Sequence, residues 1–347
     1  MNISPLKIAS HSPTRFILTV LFGLALLAPL PYVVIQPSTP ENVLGKLISI
    51  SDTETFPVSK GSELFITAVL VSDPSSYISG FEVLKSWLSG SRAVFPRAEI
   101  YPPSQSDQEI SAENKAEMSN SQNDAVAAAL NFLGYQLTKS VVLNGTRPGS
   151  DAQGRLLPND ALVEIDGERI NSTTQIQSII TRHSLNELLK VVVKRSGKSG
   201  EIQELPFTIK LTPNEVGKPA LGIYVQNAYE FPFTVKFNIN KTGGPSGGLV
   251  FALGIIEKLT AEDFLRGRKI AGTGTIDSDG NVGPIGGINE KMIGAAGAGA
   301  TIFLAPADNC SDIKQVPKNL LVIPVATLKD AVLALRNTRP ESIAGCR

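Results

Sequence analysis

The chain of 347 residues has little of the side chains most often used for acid–base and metal chemistry: two histidines, two cysteines and one tryptophan. Cys310 and Cys346 have no histidine near them in sequence, which excludes a zinc site of the usual spacing. An excess of either charge is also missing. Lys plus Arg and Asp plus Glu both number 32 and no block of like charges occurs, so nucleic-acid binding through a broad basic surface is excluded. A phosphate-binding loop is absent, because Gly197-Lys198-Ser199 has Val192 where the leading glycine would stand. No cofactor and no metal are therefore expected. What the chain does have is 42% hydrophobic residues, enough for two or three compact units.

The longest uncharged run, FILTVLFGLALLAPLPYVVI at 16–35, has the length of a membrane-spanning helix, although Pro29 and Pro31 interrupt its end. No small-residue cleavage site follows, which favours an uncleaved anchor over a removed signal. Lys7 and Arg15 precede the run and Glu41 follows it. These charges lead to the expectation of a cytoplasmic tail at 1–15, a single-pass anchor at 16–35 and a large domain outside the cell membrane. There a Cys310–Cys346 disulfide is expected.

Beyond the anchor, VLGKLISI and ELFITAVLV read as a β-hairpin. Met118, Gln122, Ala125, Val126, Ala129, Leu130 and Leu133 form a helical stripe that predicts a helix over about 115–133. Strand-like pieces broken by turns then lead to a helix at 174–183 and the strand LLKVVVKR. From 218 onward, strands GIYV, PFTVKFNI, KIAGTGTI, TIFLAP and LLVIPV interleave with helices GGLVFALGIIEKL, INEKMIGAAGAGA and TLKDAVLAL. The overall expectation is α+β: a hairpin and helix at 37–133, a β-rich unit at 134–212 and an α/β unit at 218–340.

Ser246 lies in NKTGGPSGGLVF, between glycine pairs at the start of an apolar helix. Such a serine is either a helix cap or a nucleophile, and a nucleophile needs a base. His11 falls in the expected tail and His183 in another unit, which excludes a Ser-His-Asp triad. Among the lysines, Lys258 is twelve residues along the same helix, about 18 Å away, and Lys241 sits at an exposed strand end. Lys291, in GPIGGINEKMIGAAGAGA, flanks an apolar stripe of Ile288, Met292, Ala295 and Ala296, so its stem is expected to be partly buried. Burial disfavours the charged amine and makes it a base.

Together, GGPSGG with Ser246, AGTGTI with Thr273 and GPIGGINEK with Lys291 resemble the proteolytic domain of Lon proteases, which use a Ser-Lys dyad. The resemblance implies Ser246 as nucleophile, Lys291 as base and Thr273 as the threonine that helps orient the lysine. Two positions depart from the family pattern: Gly247 stands where alanine is usual, and Thr275 where an acidic residue often follows the TG pair. The stretch 134–212 resembles a PDZ domain, with Gly154, Leu156, Pro158, Asn159-Asp160 and the Asp166-Gly167 turn in its pattern and a carboxylate-binding loop near Phe132-Leu133-Gly134-Tyr135. The hairpin and the 115–133 helix also look like the opening of a Lon fold, which would make the PDZ-like stretch an insertion. The whole chain is similar to membrane-anchored, PDZ-containing Lon-like proteases. That implies an ATP-independent serine peptidase acting on unstructured polypeptide, with a homo-oligomer open. The alternative is a catalytically silent, membrane-anchored PDZ adaptor. Asp277–Asn281 reads as a hairpin turn, since its glycine is two positions early for a calcium loop. The AAGAGA run reads as tight packing.

Overall fold

The computed structural model describes the chain except residues 1–12, 74–75, 102–106, 198–200, 215, 240–243, 338, 340–344 and 347. His11, Lys7 and Lys241 thus lie outside the described residues. The helices are α1 (Pro13–Leu27), α2 (Gly80–Leu88), α3 (Arg97–Ile100), α4 (Asp107–Phe132), α5 (Thr173–Ile180), α6 (Gly248–Leu259), α7 (Ile288–Gly297) and α8 (Leu328–Arg336). With their strands they form a mixed α+β protein.

The membrane anchor expected at 16–35 is not found: no helix among the described residues is long and apolar enough to cross a membrane. The run divides at its prolines. Helix α1 has 15 residues, about 22 Å at 1.5 Å per residue. Pro29–Leu30 then pairs with Ile78–Ser79, and Tyr32–Pro37 becomes the middle strand between Val69–Val71 and Ala93–Pro96. Val33, Val34 and Ile35 are buried there. The topology inferred from the anchor, a cytoplasmic tail and an outer domain, falls with it.

The central sheet has the order Leu321–Val325, Ile302–Pro306, Lys269–Gly272, Glu63–Ile66, Glu41–Asn42, parallel except for the last strand. Its central strands are apolar apart from their first residues Glu63 and Lys269, because helices cover both faces. Leu64, Ile66, Ile270, Ile302, Leu304 and Ile323 point to one face, where they pack in a single core with α4, α6 and α8. The alternate residues Phe65, Ala271, Phe303, Ala305 and Val322 point to the other and pack against Ile288, Met292 and Ala295 of α7. The expected hairpin is therefore replaced by two separate pairings. Ile48–Ser51 runs antiparallel to Thr234–Phe237, and Glu63–Ile66 lies beside Lys269–Gly272. Burial of Leu64, Phe65 and Ile66 on both faces makes 63–66 a central strand, not one arm of a two-stranded ribbon.

A second core is built from 141–221. Its antiparallel sheet runs Ile202–Lys210, Leu188–Ser196, Ala161–Ile165, Thr138–Thr146, Ile223–Glu230. The last strand, expected to open the α/β unit, instead closes this sheet. Chain segments 43–66 and 118–130 share the first core with 233–335, so the β-rich stretch is inserted between parts of one α/β layer structure. Cys310 and Cys346 are joined, tying the C-terminal end to the segment after Ile302–Pro306. In the chain-entropy account a loop of this length is worth about 4 kcal/mol.

Candidate active site

The central strand Lys269–Gly272 delivers Thr273 to its C-terminal edge, with helix α6 on one face of the sheet and α7 on the other. Crevices at the carboxyl ends of parallel strands are where such sheets place ligands. Here the starts of both helices converge. Ser246 sits in the turn just before α6, and Lys291 in the first turn of α7.

Ser246 does not cap α6. The cap position belongs to Gly247, and no side chain caps the helix. The turn is instead fastened from three sides. Gly274 N and Thr273 Oγ1 both donate to the Ser246 carbonyl, at 2.8 and 3.0 Å. Leu249 N donates to Gly274 O at 3.1 Å, and Ser121 Oγ of α4 donates to the Pro245 carbonyl at 2.8 Å. Gly274 has φ +150, and a Cβ there would meet Val282 at 2.8 Å, so a side chain at this position would displace the strand end that holds Ser246. Gly247 explains its own departure from the family pattern: the Ile66 side chain occupies the place where a methyl group would project.

Lys291 is 3% exposed and Thr273 fully buried. The lysine amine donates to Thr273 Oγ1 at 3.1 Å. Thr273 thus takes the bond from Lys291 and passes its own hydroxyl proton to the Ser246 carbonyl, linking the three residues picked from sequence. The Ser246 hydroxyl and the Lys291 amine are not hydrogen-bonded to one another. Burial pushes the Lys291 pKa down to about 8, with no other contribution. No carboxylate is hydrogen-bonded to it or forms an ion pair with it among the described residues, which leaves the neutral amine accessible close to neutrality.

Other sequence candidates lie elsewhere. Lys258 ends α6 and donates to Gly45 O and Ile48 O, at 3.3 and 2.7 Å. His183 is bonded to Glu187 in the β-rich unit. Asp277 accepts from Asp279 N, Asn281 N and Asn281 Nδ2, the bonds of a closed turn between Thr275–Ile276 and Val282–Gly283. The expected carboxylate loop at 132–135 ends α4, and Phe132 and Leu133 pack on the first core. A cleft of about 920 Å³ opens instead between α5 and the start of Ile223–Glu230, with Ile176, Ile180, His183, Lys218, Leu221 and Tyr224 in its walls. The sequence signal for it was Leu221-Gly222-Ile223, which the assignment of that strand to the other unit concealed. Sequence reasoning also missed Ser121, which lies beside Met118 and Gln122 of the predicted stripe and has its partner far along the chain.

Residues 238–336 match the Lon protease (S16) C-terminal proteolytic domain. The Lon protease of Clostridium beijerinckii is 44% identical over 68 residues, 18% of this chain and 9% of the relative. Lon protease 1 of Bacillus subtilis is 39% identical over 89 residues, 25% of this chain and 11% of the relative. The chain therefore matches only about a tenth of the length of these curated relatives. Among solved structures, the PDZ domain of an SdrC-like protein of Listeria innocua is 25% identical and covers 25% of this chain and 92% of its own, with a TM-score of 0.22. The segment that holds Ser246, Thr273 and Lys291 thus matches the Lon-type proteolytic domain, a domain of serine peptidases.

Proposed function

We propose that the chain is a serine endopeptidase that works by a Ser246–Lys291 dyad without ATP, on unstructured polypeptide. The observation that carries this reading is the buried relay from Lys291 through Thr273 to the carbonyl of Ser246, with the lysine pKa brought down to about 8. Ser246 Oγ attacks the peptide carbonyl while neutral Lys291 accepts the hydroxyl proton. The same proton then goes to the leaving amine as the C–N bond breaks, leaving an acyl-enzyme that water hydrolyses by the reverse use of the lysine. Thr273 keeps the amine aimed. The amides of Ser246 and Gly247, which donate to no protein group among the described residues, are available to the developing oxyanion at the start of α6.

The β-rich unit acts as a PDZ-type peptide-binding module. Strand Ile223–Glu230 pairs only with Thr138–Thr146 among the described residues, which leaves its other edge open beside α5 for an added peptide strand. The test is a fluorophosphonate probe with the full chain, followed by cleavage of an unfolded protein such as reduced casein in the absence of nucleotide. Labelling confined to Ser246, and loss of both labelling and cleavage in Ser246→Ala, is expected. A folded wild type that neither takes the probe nor cuts would favour the silent adaptor.

A further inference from the structure

One face of α4 carries three polar residues, Ser121, Asp124 and Asn131, on either side of the stretch where Ala125–Leu130 bury the helix. Their spacing puts them within about 80° of arc. Each holds something different. Ser121 Oγ, on a residue 4% exposed, donates to the Pro245 carbonyl beside the nucleophile. Asp124 Oδ1 accepts from Tyr229 Oη at 2.8 Å and from Asn227 Nδ2 at 3.4 Å, both on the strand Ile223–Glu230. Asn131 Nδ2 donates to the carbonyl of Ser278, at 2.9 Å.

Ser278 is itself 4% exposed and takes a second bond from the β-rich unit: Lys139 Nζ, on the neighbouring strand, donates to Ser278 Oγ at 3.0 Å. Its turn joins Thr275–Ile276 to Val282–Gly283, immediately after Thr273 and Gly274, and Val282 packs on Gly274. Two routes thus lead from the β-rich unit to one short turn. One runs from Tyr229 through Asp124 and one turn of helix to Ser121 and Pro245. The other runs from Lys139 through Ser278 and its hairpin to Gly274 and Ser246.

We infer that Tyr229, Asp124, Lys139 and Ser278 are positioning residues for the Ser246 turn, so that the β-rich unit sets the rate of the chemical step and does not merely deliver chains to it. Strand Ile223–Glu230 lines the peptide cleft with its first residues and grips α4 with its last. A peptide added along the cleft therefore bears on the same strand that steadies the nucleophile. The inference rests on the peptidase reading of Ser246.

The experiment uses the full chain with Tyr229→Phe, which keeps the ring and removes one hydroxyl, and Lys139→Met, which tests the second route if the first variant does not fold. Amide hydrogen exchange is followed over 245–249 and 273–283, alongside turnover of a short fluorogenic peptide. Exchange in both segments is expected to quicken, with kcat down about tenfold and KM within about twofold. Asp124→Ala combined with Tyr229→Phe should be no worse than Asp124→Ala alone, since the Tyr229 hydroxyl then has no acceptor left to lose. A folded variant with unchanged exchange at 245–249 overturns the inference. Because exchange reads the turn whether or not the wild type cuts peptide, a wild type without activity counts against the peptidase reading alone.

Discussion

The two ends of α6 each meet a lysine, Lys258 half-buried and Lys291 buried, and the two lysines teach opposite lessons. At the C-terminal end, Lys258 donates to two backbone carbonyls, which satisfy the ammonium and complete the ends of a neighbouring helical segment. At the N-terminal end, Lys291 has one hydroxyl as its partner and almost no solvent. Burial lowers both pKa values. Lys258 spends its ammonium on two carbonyls away from the nucleophile turn, whereas Lys291 is linked through Thr273 to Ser246, so on the proposed reading one lysine is a tie and the other a base.

The comparison breaks most visibly by exchanging each lysine for arginine, which keeps the charge and cannot serve as a base. Lys291→Arg should reduce peptide cleavage by about 10³-fold or more, while Lys258→Arg stays within a few-fold, both measured on protein shown by circular dichroism to be folded. Equal losses in the two variants would erase the distinction.

A narrower separation lies in the pH profile. The dyad needs the neutral amine, so kcat should rise with pH through about 8, and Lys258→Met should leave that midpoint in place. A midpoint that moved with Lys258 would assign the titration to the wrong lysine.

The smallest expected effect concerns stability and differs in sign. Lys291 has a folded pKa below its unfolded value, so the unfolded chain binds more protons between about pH 8 and 10.5, and stability rises with pH across that window. Below it the full cost remains, about 3 kcal/mol for a shift of this size, against about 1 kcal/mol for the bond to Thr273. Lys291→Met should therefore stabilise the inactive protein by about 2 kcal/mol at pH 7 and lose that gain as pH approaches 10. Lys258→Met, which strips the Gly45 and Ile48 carbonyls of their donor, should destabilise by about 1–2 kcal/mol. Urea titrations at two pH values read both.

The sequence displayed the site more completely than the fold around it. Ser246, Thr273 and Lys291 stand in short glycine-flanked motifs whose chemistry is local, and the structure brings all three together. The 115–133 stripe is equally plain, because Met118, Ala125, Val126, Ala129 and Leu130 recur at helical spacing and are buried. The failures are long-range. Nothing within ELFI says that its partner is KIAG, and adjacency in sequence misdirected it into a hairpin. Ile223–Glu230 follows the β-rich unit after a turn and reads the same whichever sheet receives it. The apolar run at 16–35 matched hydrocarbon in composition, yet two prolines sufficed to divert its second half into strands. Ser121 was invisible as a site residue because its partner is 124 positions away.

The interleaved core also has a consequence for the order in which the protein comes into being. The β-rich sheet closes once Glu230 has paired with Thr138, using only a contiguous stretch of chain. The other sheet cannot begin to close until Ile270 reaches Leu64, and it is finished only by Leu321–Val325. Synthesised from the N-terminus, the chain thus completes its β-rich sheet before the sheet that carries Thr273, and Lys291 is buried only late in synthesis. On the proposed reading, a half-made chain has no assembled base and cannot cleave itself or its neighbours.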